Sequence, residues 1–196
     1  MTVDEGMDGQ QVIAFTDDAA WERWLDQNHA STNVVWVKFA KKASGIPTVT
    51  YAEAVTTALC FGWIDSQMRS LDETWYIQRF TPRGPRSKWS QINQKAVAAL
   101  IETGRMREAG LAAVDAAKVD GRWDRAYAPP STATVPDDLR AALDAQPPAA
   151  EAFAQLSGQN RYAVLYRVEE AKRPETRSRR IAQFVDMLAR GDTPHP

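Results

Sequence analysis

The hydrophobic pattern of the chain changes at Pro85, and this change constrains the fold most. Before Pro85, short β-branched and aromatic runs predict strands at 12–15, 34–39, 63–65 and 75–80. After it, apolar residues recur at helical spacing to the end of the chain. The sequence therefore predicts an α+β fold, with a small, mostly antiparallel sheet and helices in the N-terminal part and an all-helical C-terminal part.

Capping residues locate the predicted helices of the N-terminal part. Thr16 or Asp17 precedes a helix that carries Trp21, Trp24 and Leu25 at helical spacing. Thr50 and Glu53 have the spacing of a capping box, which predicts a helix that continues to about Cys60.

The later helices follow one another through short loops. Ser87 is predicted to cap a helix to Gly104 that buries four apolar residues: Ile92, Val97, Leu100 and Ile101. Further helices are expected from near Met106 to Gly121 and at 137–145, 148–157, 160–171 and 174–190. We divide the chain into an α+β part at 1–86 and a helical part at 87–196, with a Pro-containing loop or linker at 126–136, packed separately or as one compact unit.

Composition limits which cellular compartment and which kinds of metal or cofactor site are expected. The single cysteine, Cys60, excludes an internal disulfide, and its apolar neighbours predict a buried thiol in a reducing compartment. No secretory signal and no membrane-spanning apolar run is evident, so we expect a cytoplasmic protein without a membrane partner. The two histidines, His29 and His195, stand apart, and we expect no metal and no cofactor.

Basic residues are concentrated between positions 79 and 107, where seven lysines and arginines stand against one glutamate, a balance of +6. Residues 1–30 carry the opposite balance, seven acids against one arginine, or −6. The run RFTPRGPRSKWSQIN at 79–93 brings a basic loop to a helix N-terminus, a place that favours anions. Its candidate anion donors are three arginines, Arg79, Arg83 and Arg86, and two hydroxyls, those of Ser87 and Ser90. The alternative is that these arginines bind helix C-termini or the acidic N-terminal segment.

A second basic segment, AKRPETRSRRI at 171–181, opens the last helix. Arg177 continues the apolar stripe formed by Ile181, Phe184, Val185 and Leu188, so it needs an internal carboxylate or a bound anion. Lys172, Arg173 and Arg180 flank the same line.

Asp65 is the best single acid candidate, since it follows Ile64 in an apolar strand. Beside Arg83 or Arg177 it would be structural, whereas in a cleft it could act as a base. Trp63 and Trp89 could stack on a ligand or belong to the core.

At these residues the chain resembles the YdeI/OmpD-associated, or bacteriocin-protection (OmdA-domain), family of bacterial proteins. The matching motifs are CFGWIDS at 60–66, RFTPRGPRSKWSQIN at 79–93, GRMREAG at 104–110, AKVDGRWD at 117–124 and AKRPETRSRRI at 171–181, and the resemblance extends from about residue 11 to 191. It implies an α+β N-terminal part, a helical C-terminal part and a role in resisting antimicrobial peptides or bacteriocins.

We expect the two basic segments to converge on one Arg-lined cleft that binds a small phosphate- or carboxylate-bearing ligand. Its expected residues are Trp63, Asp65, Arg79, Arg83, Arg86, Ser87, Trp89, Lys172, Arg173, Arg177 and Arg180. One alternative is an enzyme that uses Asp65 as acid or base beside the arginines. Others are a nucleic-acid-binding module, in which Trp63, Trp75 or Trp89 stacks on bases, and a protein-interaction module with internally paired arginines.

Overall fold

A computed structural model of the chain describes residues 2–4 and 9–195. The chain divides into two compact units, an N-terminal unit of residues 1–126 and a C-terminal unit of residues 127–196. The division falls at the start of the predicted 126–136 loop. The predicted boundary at residue 86 would separate from the sheet two helices that the structure groups with it.

The N-terminal unit contains a five-stranded mixed sheet. Its strands are β1 (Thr2–Asp4), β2 (Val12–Ala14), β3 (Val35–Ala40), β4 (Trp63–Ser70) and β5 (Trp75–Pro82), in the spatial order β1-β2-β3-β5-β4. Only β2 and β3 run parallel, which confirms the prediction of a small, mostly antiparallel sheet. The first strand was not predicted.

Four helices belong to the N-terminal unit: α1 (Asp18–Asn28), α2 (Tyr51–Cys60), α3 (Gln91–Glu102) and α4 (Glu108–Val119), with a 3-10 turn at Lys42–Ser44. Asp17 caps α1 by accepting a hydrogen bond from the Ala20 N–H. Thr50 and Glu53 form the predicted capping box at the start of α2. Helix α2 contacts α1, α3, α4 and β4, so it is the central helix of this unit.

Helix α3 differs from its prediction. Its N-cap is Ser90, whose side chain accepts a hydrogen bond from the Asn93 N–H, and not Ser87. Val97 and Leu100 are buried as predicted, but Ile92 and Ile101 are exposed. With about 100° between successive residues, Ile92 and Ile101 lie roughly 90° to either side of the buried stripe.

The core of the N-terminal unit is aromatic. Trp21 is fully buried, and its ring centre lies 5.0–5.5 Å from those of Phe15, Trp24 and Phe80, with Trp24 stacked on it. Its indole N–H donates a hydrogen bond to the Ala54 carbonyl. Trp36 is also buried, with Val12 and Ile77, in a separate small cluster. Trp21 and Trp36 are thus both core residues, in two separate clusters.

Helices α2 and α4 approach very closely where α2 ends. A Cβ built on Gly110 would lie 2.2 Å from the backbone oxygen of Cys60. Gly62, at φ +71°, ends α2 beside α4, where an added Cβ would lie 2.8 Å from the Ala109 oxygen. Cys60 is fully buried here, as predicted, and burial raises the pKa of its thiol.

The C-terminal unit contains four helices, which confirms the all-helical prediction. They are α5 (Asp137–Asp144), α6 (Pro147–Gln155), α7 (Gly158–Glu170) and α8 (Pro174–Ala189). Their core is mainly aliphatic, and Leu139, Val164 and Val168 are fully buried in it. Among the described residues of the whole chain, no helix combines the length and apolarity needed to cross a membrane.

Candidate functional site

The basic segment at 172–180 binds the C-terminal end of helix α7. Lys172 Nζ donates to the Glu169 carbonyl at 3.2 Å, Arg177 Nη1 to the Val168 carbonyl at 3.0 Å, and Arg180 Nη1 to the Arg167 carbonyl at 2.6 Å. The last four carbonyls of a helix lack intrahelical partners and carry its negative dipole end. Three cations from one segment thus satisfy three of these carbonyls.

Arg177 also pairs with a carboxylate of the same unit, that of Asp138. Its Nε lies 2.5 Å from Asp138 Oδ2 and its Nη2 lies 2.9 Å from Asp138 Oδ1, a bidentate pair. These hydrogen bonds from Arg177 hold the pKa of the Asp138 carboxyl below its ordinary value of 3.8. Of the two partners predicted for Arg177, an internal carboxylate or a bound anion, the structure provides the first. Arg173 is exposed, so burial places no such demand on it.

Arg180 lies at a cleft within the C-terminal unit. The cleft has a volume of about 350 Å³, and its lining comes from α7 and α8: Arg167, Glu170, Arg180, Gln183, Phe184 and Met187. Arg180 pairs with Glu170 at 3.4 Å across it. The cleft therefore combines two guanidinium groups and one carboxylate with an apolar floor.

The basic loop, residues 83–89, is held in place by one of its own arginines, Arg83, and by Arg122 from the segment after α4. The Arg83 guanidinium lies 3.6 Å from the centre of the Trp89 ring and donates to the Lys88 carbonyl at 2.9 Å. Arg122 Nη1 donates to the Gly84 and Ser87 carbonyls at 3.3 and 3.1 Å. Arg83, which was predicted to bind an anion, thus helps to fix the conformation of the loop together with Arg122, which was not predicted.

Other candidates of the 79–93 segment are dispersed. The Ser87 hydroxyl accepts from the Gly84 N–H, and Arg86 is exposed. Arg79 lies beside Trp36 in the β3/β5 register. Trp89 is buried against Trp123, and its indole N–H has no hydrogen-bond partner among the described residues.

Asp65 lies in a polar cluster with Tyr51 and Gln78, here called the Asp65 cluster. Asp65 Oδ2 accepts from the Tyr51 hydroxyl at 2.8 Å and from Gln78 Nε2 at 3.2 Å. Within the described chain, no hydrogen bond or ion pair joins Asp65 to Arg83 or Arg177, the two arginines that would have given it a structural role. Trp63, two residues earlier, is a core residue in edge-on contact with Trp24.

Residues 13–113, which are 101 of the 196 residues, match the family described as "Domain of unknown function (DUF8412)". The chain belongs to this family. Residues 132–191 match a second family, "Bacteriocin-protection, YdeI or OmpD-Associated". This match confirms the resemblance for the C-terminal unit, over a shorter range than the 11–191 expected. No curated protein and no solved structure matches the chain.

The two matches contain four of the five motifs, and AKVDGRWD at 117–124 lies in neither matched range. CFGWIDS, the basic loop and GRMREAG lie in the DUF8412 region, and AKRPETRSRRI lies in the bacteriocin-protection region. The two basic segments thus belong to different units, and their convergence on one cleft stays a prediction. No group of three or more His, Cys, Asp or Glu side chains suited to a metal is found among the residues described.

Several residues that matter at these places were not predicted: Tyr51, Gln78, Arg122, Asp138 and Arg167. Arg122 lies in the AKVDGRWD motif, which was a usable signal. Arg167 stands three residues before Glu170 on α7, a spacing that places both on one helix face. The Tyr51–Asp65 hydrogen bond joins α2 to β4, and no short sequence pattern predicts such a contact.

Proposed function

We propose that the protein is a cytoplasmic binding protein for a small carboxylate- or phosphate-bearing ligand with an apolar body, held in the cleft between α7 and α8. The observation that supports this most is the composition of the cleft lining, in which two guanidinium groups, one of them paired with Glu170, lie beside the apolar side chains of Phe184 and Met187. Guanidinium groups bind carboxylates and phosphates through paired, charge-assisted hydrogen bonds.

Arg167 is the main donor in this proposal. Its side chain is exposed at the cleft, and among the described residues its guanidinium takes part in no hydrogen bond or ion pair. Its backbone carbonyl has a separate role, as the acceptor for Arg180. A substitution of Arg167 therefore removes the guanidinium proposed to bind the ligand and leaves the backbone carbonyl that accepts from Arg180 of α8.

The apolar floor narrows the ligand class. Phe184 is nearly buried and Met187 is half-buried beside it, while Gln183 offers an amide at the rim. A cleft of about 350 Å³ is at the small end of ligand sites, which run from about 300 to 1,000 Å³. These features favour a compact amphipathic anion over an inorganic ion.

Calorimetric titration of the full chain with hexanoate, hexyl phosphate and hexanol tests the proposal. The two anions should bind and the neutral alcohol should not, and their relative affinities tell carboxylate from phosphate. Arg167→Gln should weaken anion binding about tenfold, the loss of one charge-assisted contact. The matched control is Arg179→Gln, which removes the same charge from an exposed α8 residue outside the cleft lining.

Equal weakening by Arg167→Gln and Arg179→Gln would mean that the anions sense only general charge, and the cleft proposal would fail. A single-stranded oligonucleotide provides the competing arm. Tight oligonucleotide binding that falls steeply with salt and is insensitive to Arg167→Gln would support the nucleic-acid hypothesis instead.

A further inference from the structure

The Asp65 cluster lies at the edge of the sheet, where a β-bulge changes the register. Strand β4 is an edge strand, and its pairing with β5 shifts between Asp65, opposite Phe80, and Met68, opposite Gln78. Because opposed residues share a face, the bulge places Asp65 and Met68 on the same face although they are three residues apart. Bulges of this kind re-aim side chains and are frequent beside functional sites.

Asp65 is held in position from two sides. Gln78, which is only 5% exposed, donates from the sheet, and Tyr51, the first residue of α2, donates its hydroxyl. Both hydrogen bonds reach the same oxygen, Oδ2, so Oδ1 keeps its capacity to accept. The carboxylate is thus oriented by one buried and one exposed neighbour.

No lysine or arginine of the described chain pairs with Asp65. Asp65 is half-buried, and a partly desolvated carboxylate is stabilised by a cation in hydrogen-bond contact. The structure therefore shows a fixed negative charge for which a ligand can supply the opposite charge.

The surroundings are suited to an organic cation. Tyr51 is 44% exposed beside the carboxylate, with its ring edge-on to Phe39, and an aromatic face attracts an ammonium group. Met68, which is 63% exposed and opposite Gln78, offers apolar contact to an alkyl chain on the same face.

We propose that the Asp65 cluster is a binding site for a primary alkylammonium group, with Asp65 as the charged acceptor, Tyr51 as the aromatic wall and Met68 as the apolar contact. This site lies within the N-terminal unit and is independent of the cleft between α7 and α8. Its ligand has the opposite charge to the one proposed for the cleft.

Titration of the full chain with hexylammonium, followed by calorimetry and by tryptophan fluorescence, tests this site. Hexylammonium should bind and hexanol should not. Asp65→Asn preserves the shape and an acceptor oxygen but removes the charge, and we expect it to weaken binding at least about tenfold. The matched control is Glu73→Gln, which removes one negative charge from an exposed residue in the β4–β5 turn.

Two changes at Tyr51 keep the test decisive if Asp65→Asn disturbs the fold. Tyr51→Phe preserves the ring and should retain hexylammonium affinity within about threefold, whereas Tyr51→Leu removes the ring and should weaken it further. Unchanged affinity in a folded Asp65→Asn variant, equal effects of Asp65→Asn and Glu73→Gln, or equal binding of hexanol would each overturn the proposal.

Discussion

The two units share the same kinds of partner for their cationic side chains but use them in different proportions, since most of the cation–ring contacts of the described residues lie in the N-terminal unit. In the N-terminal unit, cations lie over aromatic rings: Arg83 over Trp89, Arg69 over Trp36, and Lys118 over Trp123. In the C-terminal unit, Arg161 lies over the Phe153 ring, but Arg177 and Arg180 bind the carbonyls at the end of α7 and nearby carboxylates. This difference in proportion parallels the composition of the cores, one rich in tryptophan and the other mainly aliphatic.

The comparison shows that a guanidinium on an apolar face has three sources of compensation. An aromatic face, a helix C-terminus and a carboxylate can each stabilise it. Expecting only a carboxylate or a ligand, as for Arg177, omits two of these, and the structure uses both of them. All seven tryptophans lie in the N-terminal unit, so tryptophan fluorescence reports on that unit alone.

The largest expected effect comes from the aromatic core. Trp21→Ala removes a fully buried ring with three aromatic neighbours and a hydrogen bond to Ala54. We expect a loss of about 3 to 5 kcal/mol in the free energy of unfolding of the N-terminal unit. Urea titration followed by the fluorescence of the remaining tryptophans measures it. Loss of equal size in hydrogen-exchange protection of α7 and α8 would contradict separate behaviour of the two units.

The next effect contrasts two helical glycines. Gly110→Ala would place a Cβ against the Cys60 carbonyl, and we expect a loss of about 3 kcal/mol. Gly158→Ala, at the start of α7, has no atom within 4 Å of the added Cβ and should be neutral or stabilising by about 0.5 to 1 kcal/mol. Thermal unfolding of both variants, followed by circular dichroism, makes the comparison. Similar losses in the two would show that close packing at Gly110 is unimportant.

A smaller effect tests the cation network of the C-terminal unit. Arg177→Ala removes the pair with Asp138 and one donor to the end of α7, and because Arg177 is 23% exposed we expect about 2 kcal/mol. Hydrogen exchange of α7 and α8 amides should show it, while the fluorescence transition stays in place. Arg179→Ala, on the exposed face of α8, serves as control and should change stability by less than about 0.5 kcal/mol.

The smallest expected effect is on the stability of the C-terminal unit at acidic pH. Because the pKa of Asp138 is lowered in the folded state by Arg177, its contribution to stability is complete above the ordinary value of 3.8 and is lost as the pH falls through the lower folded value. Asp138→Asn should remove this part of the acid sensitivity of the C-terminal unit. Exchange protection of α8 at pH 5 and pH 3 measures it; an unchanged pH response in Asp138→Asn would contradict it.

Local patterns predicted the elements, and long-range contacts escaped them. The capping box at Thr50 and the aromatic stripe of α1 are encoded within a few residues, and both were correct. Ile92 and Ile101 failed because the hydrophobicity of α3 does not show which of its faces meets α2. The Asp65 cluster was only half predicted, since the acid was recognised from its strand but its partners come from α2 and β5.

The close contact between α2 and α4 gives the single thiol a further use. Cys60 is fully buried beside this contact, so a thiol reagent reaches its side chain only after the packing around it opens. The rate at which the native protein is labelled therefore measures how often this part of the N-terminal unit opens. Because the chain has one cysteine, every labelled molecule records the same event, and ligands of the Asp65 cluster can be compared by how far they slow it.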